Sequence, residues 1–268
     1  MPKTIFFQSC RGVFQGGGCR AAALVGAYDE AIRRGVQFTE VAGTSAGAIV
    51  AALIGAGASP EKLKGFVLKL NFQSFLRPPD ITTKPGVLKR AAASLLGEYA
   101  NLIFHQGLHS SSEIEVWMEG CLRELLGSRQ GPIPFSSLQL PTSIIATDIV
   151  TRRVRVWNQQ TAPNDSVAAA VRASCSIPIF FQPVDHRYVD GGALSNLPTF
   201  VFADINGSKP LSNRVLAFIL KADDEKIENW NTKTFFTAIA DTVVEGSQNL
   251  QLNLHSDCLL YTSDAADE

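Results

Sequence analysis

The stretch VAGTSAGAIVAALIGA, residues 41–56, restricts this chain more than any other. Gln37–Ala42 reads as a short β-strand, and Ala46–Ala56 as a helix made almost wholly of small and aliphatic residues. Between them, Gly43-Thr44-Ser45-Ala46-Gly47 fits G-x-S-x-G in the strand-to-helix context that a nucleophile elbow requires. So sharp a turn leaves no room for side chains at the flanking positions. It also sets the Ser45 hydroxyl at a helix N-terminus, where free amides and the helix dipole favour developing negative charge. The competing reading is a Gly/Ser turn that only caps the helix.

The surrounding pattern repeats the same unit. Arg11–Gln15 reads as a strand. Gly18–Arg34 reads as a helix with apolar positions Ala22, Val25, Ala31 and Ile32, ended by Gly35. Ser59–Leu70 is a helix opened by Ser59-Pro60-Glu61-Lys62 as cap and first turn. Further along, Ser111–Leu126 is an amphipathic helix carrying Ile114, Trp117, Met118, Leu122 and Leu125, with Ser110–Ser112 as candidate caps. Strands are expected at Thr142–Thr147, Arg153–Trp157 and Arg214–Leu220, and helices at Ser166–Ala173 and Thr232–Leu254. Strand, glycine-rich turn and helix in alternation point to a parallel α/β sheet.

Composition excludes several classes. With 268 residues, 46% hydrophobic and 18% charged, the chain has the make-up of a globular α/β domain. A formal net charge of −1 offers no electrostatic case for nucleic acid as substrate. No apolar run reaches membrane-spanning length and the start lacks a secretory pattern. Cys10, Cys19, Cys121, Cys175 and Cys258 contain no CxxC pair, so reduced, mostly buried thiols are expected rather than a disulfide or zinc framework. Together these features lean towards a cytoplasmic protein. CLLYTSDAADE, residues 258–268, is what a common transposase sequencing adapter encodes in this frame, so it is set aside from fold reasoning. A single domain over 1–257 is expected, with the native C-terminal end missing.

Two further motifs bear on chemistry. In FQGGGCRAAALVGAY, Gly16-x-Gly18-x-x-Ala21 formally matches a dinucleotide fingerprint, which makes a phosphate-binding module one reading. That reading wants an acid at the end of the next strand. Here Glu40 falls before the strand's end and GTSAG follows it. The other reading has the glycines present backbone N–H groups to an oxyanion, with Arg20 adding positive potential. Tyr188-Val189-Asp190-Gly191-Gly192 is a turn by default. It follows SVAAAVRASCSIPIFFQPV, which is rich in small and apolar residues and positions a strand ending at Asp190.

GGGCR, GTSAG and DGG, in this order and joined by AVRASCSIPIFFQPVDHRYVDGGALSNLP, resemble the patatin-like phospholipase family over about Arg11 to Pro198. The resemblance implies a patatin-like three-layer α/β/α sandwich with a central, mainly parallel sheet and the elbow after an early strand. It implies a serine lipid acyl hydrolase of phospholipase A type, working without a cofactor or metal. Carried over by position, Ser45 is the nucleophile and Asp190 the general base. Gly16, Gly17, Gly18 and Arg20 form the oxyanion loop, and Gly43, Gly47, Gly191 and Gly192 support the elbow and the DGG turn. Many relatives have glycine where this chain has Ala21. Bacterial members include secreted toxins and cytosolic antiviral effectors. An inactive, scaffold-like member is a further alternative.

Histidine tests the dyad. A Ser…Asp…His order is formally available through His255, while His105, His109 and His186 sit in less suggestive places. The glycine loop lies only one βα unit before the elbow, which favours a Ser–Asp dyad. A lipid ester is the expected substrate, met at a membrane surface. Glu61–Leu76 carries Leu63, Phe66, Val67, Leu70, Phe72, Phe75 and Leu76 beside Lys62, Lys64, Lys69 and Arg77. This face either dips into a bilayer or packs into the core. The irregular middle, residues 71–110, is a candidate lid or membrane-facing region.

Overall fold

In the computed structural model the sheet starts with β1, Ser9–Phe14, and β2, Gln37–Thr44, which pair in parallel. The structure describes residues 9–70, 75, 106–202 and 214–220, and positions 234, 235, 238, 239, 242, 243 and 246. Most of the irregular middle, much of the helix expected at 232–254 and the 258–268 tail lie outside the described residues, as do His105, His255 and Cys258.

A register shift between Cys10 and Arg11 skips Thr39, which puts Phe38 and Val41 on one face of the sheet. Around it stand α1 (Ala21–Arg33), α2 (Ala46–Gly55) and α3 (Pro60–Leu68). Next come β3 (Gly107–His109), α4 (Ser112–Leu126), β4 (Thr142–Asp148), β5 (Arg153–Trp157) and α5 (Val167–Ser174). The series ends with β6 (Ile179–Phe181), β7 (Tyr188–Asp190) and β8 (Val215–Phe218).

The main sheet has the order β5-β4-β2-β1-β8, with β7 also paired to β4. The pairings β1–β2, β1–β8 and β2–β4 are parallel, and β5 and β7 run antiparallel to β4. This is the expected central, mostly parallel sheet flanked by helices. One face packs Phe14, Phe38, Val41, Ile144 and Phe218 against the helices. The other packs Val13, Ala42, Ile145 and Ala217 against Leu197 and Phe202. Every residue of α2 is buried, as its uniformly apolar sequence requires.

Local chemistry explains the element ends. The Ser59 hydroxyl accepts from Lys62 N (3.3 Å) and Ser166 from Ala169 N (3.2 Å), the N-caps of α3 and α5. Val25 and Ala31 of the expected α1 stripe are buried and Ile32 packs against the core, but Ala22 differs from the sequence expectation. Ala21, Leu24, Val25, Tyr28 and Ala31 face inward and Ala22 is exposed, because the Tyr28 ring joins the cluster of Phe14 and Phe38. The apolar stripe of α3 and the residues after it pack inward: Leu63, Val67, Leu70 and Phe75 are buried, so the bilayer reading fails for these residues, while Phe72 and Leu76 lie outside the described residues. A second, two-stranded parallel sheet, β3 with β6, is invisible to periodicity because each strand is only three residues long.

The arrangement at β4 positions everything else. β5 follows one edge of β4 over Ile144–Asp148. β2 holds the opposite edge over Thr142–Ile145, and β7 takes that same edge over Ala146–Asp148. Since β2 runs parallel to β4 and β7 antiparallel, the two strands point at each other, end to end.

Candidate active site

The end of β2 pairs Thr44 with Ile145, and the end of β7 pairs Asp190 with Ala146. One register step of β4 thus brings the residue after Thr44, Ser45, to Asp190. Ser45 adopts φ 53 and ψ −123, a region that non-glycine residues occupy only when their surroundings hold them there. Its carbonyl accepts from Ala48 N (2.9 Å), but its hydroxyl makes no capping bond to α2. The reading of Ser45 as a mere cap therefore fails. The glycines explain the tightness of the turn: a Cβ on Gly43 would strike the Gly47 carbonyl, and one on Gly47 would strike the Phe14 carbonyl of β1.

The elbow is braced by Ser174, which the sequence reading did not single out. Its hydroxyl accepts from Ser45 N (2.9 Å) and donates to the Ile145 carbonyl, so one buried side chain ties α5 to both β4 and the elbow. The RASCSIP stretch was the available signal, but no spacing rule connects a serine in it to a backbone amide 129 residues away.

Asp190 is 1% exposed. Its Oδ1 accepts from Gly192 N (2.7 Å), the turn chemistry that an Asp-Gly-Gly run suggests. Its Oδ2 is buried without a well-formed hydrogen bond, and the Ser45 hydroxyl is the side-chain donor that acts on the carboxyl. Burial pushes the pKa up from 3.8 to about 6, against the Ser45 hydroxyl and the Gly192 amide, which both pull it down. Cys175 is buried beside this charge, and both effects raise its pKa, so its thiol stays protonated at neutral pH.

From Asp190 the chain crosses the ends of β4, β2 and β1 in turn. Thr147 Oγ1 donates to the Gly191 carbonyl (3.5 Å) and Thr44 Oγ1 to the Ser195 carbonyl (2.8 Å). Gly16 N then donates to the Asn196 carbonyl (3.1 Å). A Cβ on Gly191 would strike the Ile145 carbonyl, and one on Gly16 would lie 3.1 Å from the Ser45 Cβ. The glycine loop is therefore drawn against Ser45. The Gly16 amide is engaged by Asn196, so this glycine serves close approach. The Gly17 and Gly18 amides make no hydrogen bond to the described residues, and Arg20 is exposed just beyond them at the start of α1. The structure thus brings together Ser45, Asp190, Gly16, Gly43, Gly47, Gly191 and Gly192, and Gly17, Gly18 and Arg20 follow Gly16 in the chain.

Histidines stay apart from this point among the described residues. His109 packs on Phe180 (5.0 Å), and His186 Nδ1 meets Gln106 Oε1 (3.2 Å) on an exposed turn. Glu40, the acid nearest to a ribose-binding position, is paired with Arg11 (3.3 Å). Among the described residues no group of three or more His, Cys, Asp and Glu side chains could hold a metal ion. Cavities of about 390 and 360 Å³ lie elsewhere, one around Gly57 and Gln139 beyond the far end of α2, the other between α1 and α3. A hydroxyl next to a buried carboxyl of raised pKa, with a glycine loop drawn against the residue that bears the hydroxyl, suits nucleophilic attack on a carbonyl.

Known proteins resemble this chain in sequence and fold. A family model described as patatin-like phospholipase matches residues 12–203. The uncharacterized protein YqhO of Bacillus subtilis is 33% identical over 205 residues, covering 72% of this chain and 66% of that protein. An uncharacterized NTE family protein of Mycobacterium tuberculosis is 28% identical over 193 residues, 71% of this chain and 44% of its own length. VipD from Legionella pneumophila superposes with a TM-score of 0.50 at 16% identity, over 92% of this chain and 55% of that one. ExoU, in its complex with SpcU from the type III secretion system of Pseudomonas aeruginosa, gives 0.50 at 19% identity, over 91% and 52%. These two structures speak to the fold alone. The chain spans about two-thirds of YqhO and about half of the other three.

Proposed function

The chain belongs to the patatin-like phospholipase family, and from that premise we propose that it is a serine lipid acyl hydrolase, of phospholipase A type, working through a Ser45–Asp190 dyad. The observation that carries this reading is the meeting of β2 and β7 on one edge of β4, which sets the Ser45 hydroxyl against a buried carboxyl. In the proposed cycle Ser45 Oγ attacks the carbonyl carbon of an acyl ester while Asp190 takes the hydroxyl proton. The Gly17 and Gly18 amides hold the oxyanion, and Arg20 adds positive potential. The loss of one such donor typically costs about 3 kcal/mol of transition-state stabilisation. As the tetrahedral species collapses, Asp190 returns the proton to the departing alcohol and leaves an acyl-Ser45. Water then repeats the sequence, giving its proton to Asp190 and releasing the fatty acid.

The raised pKa supports this assignment. An ordinary carboxylate is a weak base for a hydroxyl, whereas a carboxyl near pH 6 remains ionised at neutral pH and holds a proton more strongly. The substrate proposed is a fatty-acyl ester of a membrane phospholipid, and residues 1–257 are proposed to form the domain that acts on it. Among the described residues no helix is long and apolar enough to cross a membrane, so the proposed encounter is peripheral. Incubation with phospholipids and p-nitrophenyl esters should release fatty acid and p-nitrophenol from the unaltered chain. Ser45→Ala should lower both by more than about a thousand-fold. A fluorophosphonate probe should label the parent and not this variant. Absence of both hydrolysis and labelling in the folded parent would leave an inactive family member.

A further inference from the structure

β4 does not stop at the level of the dyad. It continues past Ala146 to Asp148 and turns back into β5 through Ile149, Val150, Thr151 and Arg152. Ser45 follows the end of β2, Gly16 follows the end of β1, and this turn follows the end of β4. The three strands are parallel, so the turn rises from the same edge of the sheet as the dyad. At about 3.3 Å per residue, Asp148 at the end of β4 stands roughly 7 Å beyond the level of Ala146, and Ile149 and Val150 lie in the turn past it.

The turn places apolar side chains in water, with Ile149 45% and Val150 66% exposed. It is nonetheless held firmly. Asp148 Oδ1 accepts from Val150 N (3.0 Å) and Thr151 N (3.1 Å). Asp148 Oδ2 accepts from Arg187 Nε (2.9 Å) and an Arg187 terminal nitrogen (2.7 Å), and Ile149 N donates to the Arg187 carbonyl (3.0 Å). Arg152 and Arg153 follow the apolar pair. Both are exposed, with no ion-pair partner among the described residues. The facing turn adds Asp185 and the half-exposed Arg187, the latter clasped to Asp148.

We propose that this turn is a membrane-docking tip: Ile149 and Val150 enter the interface of an anionic phospholipid bilayer, and Arg152 and Arg153 meet its headgroups. The proposal rests on the lipid-hydrolase reading for its purpose. Two apolar side chains at the apex with cations just behind them match the layering of an anionic leaflet, acyl boundary first and charge outside it. Because the turn is braced, little conformational freedom is lost on contact. Docking there turns the sheet edge bearing Ser45 and Asp190 towards the lipid.

Binding is measured separately from chemistry, using the full chain as Ser45→Ala in flotation with vesicles of equal parts phosphatidylcholine and phosphatidylglycerol. The parent Ser45→Ala chain is expected to float with these vesicles, and much less with phosphatidylcholine alone. Adding Ile149→Ser with Val150→Ser should weaken binding about ten-fold or more. Adding Arg152→Glu with Arg153→Glu should weaken it at least as much and erase the preference for the anionic vesicles. In the chain that retains Ser45, both pairs should leave hydrolysis of a soluble p-nitrophenyl ester and the melting temperature unchanged. Vesicle binding unaffected by both pairs, or no binding by the parent, overturns the docking tip. A parent chain that docks through this turn and hydrolyses no ester supports the tip and instead overturns the proposed chemistry.

Discussion

Asp190 is ionised at neutral pH against the preference of its surroundings. Its folded-state pKa of about 6 lies above the 3.8 of a free side chain, so the native state binds this proton more tightly than the unfolded chain does. The group therefore favours folding below about pH 4, and that contribution is lost as the pH rises through 6. At pH 7 the charged carboxylate costs about 3 kcal/mol, two pKa units at 1.36 kcal/mol each. Asp190→Asn should thus abolish ester hydrolysis and raise the stability measured by urea unfolding at pH 7, with the gain shrinking towards zero by pH 4. Hydrolysis by the parent should fall below an apparent pKa near 6, about ten-fold per pH unit, because the base must be ionised. Ser174 acts one bond further out, on the amide of Ser45. Ser174→Ala leaves that buried amide without its acceptor, a loss of about 1–3 kcal/mol. Fluorophosphonate labelling should slow in protein that is still fully folded, because the strained backbone of Ser45 loses its brace.

At the scale of elements, the site depends on how β7 is held. It is only three residues long, too short to be secured by its pairing with β4 alone. Arg187, one residue before it, grips Asp148 at the end of β4, and this guanidinium holds the Asp148 carboxyl well below the usual carboxylate range. A depressed pKa gives stability that is complete above the unfolded value, about 4, and is lost as the pH falls towards the folded one. Arg187→Ala should therefore lower the melting temperature at pH 7, and the difference from the parent should narrow as the pH drops below about 4. Gly47 is the corresponding joint between α2 and β1. Gly47→Ala would push α2 away from the Phe14 carbonyl, and both stability and labelling of Ser45 should drop together.

For the molecule as a whole, β1 and β2 lie centrally in the sheet, with core on both faces. Phe14 and Phe218 stack at 4.6 Å and bind the edge strand β8 to this centre, far along the sheet from β7. Phe218→Ala should lower the unfolding free energy by about 3–5 kcal/mol, read from the denaturant midpoint, through the cavity it leaves. The elbow, the glycine loop and the Asp-Gly-Gly turn could be read directly from the residues. Each is a demand made by backbone geometry on consecutive positions, where a side chain either fits or does not. The helix α2 was legible for the same reason, its apolar surface admitting only burial. The first inward position of α1 was not, since Ala22 and Ala21 have the same chemistry and only the location of the Tyr28 ring chooses between them. Nor was the engagement of the Gly16 amide by Asn196, the brace from Ser174, or the exposed pair at the β4–β5 turn. Serine, asparagine and isoleucine satisfy many partners equally well, and which one they meet is settled by strand pairing between residues far apart in the chain. The sequence by itself therefore determined which groups could do the chemistry. Tertiary structure decided their distances and the acidity of Asp190, because desolvation is a sum over every neighbour the fold brings near.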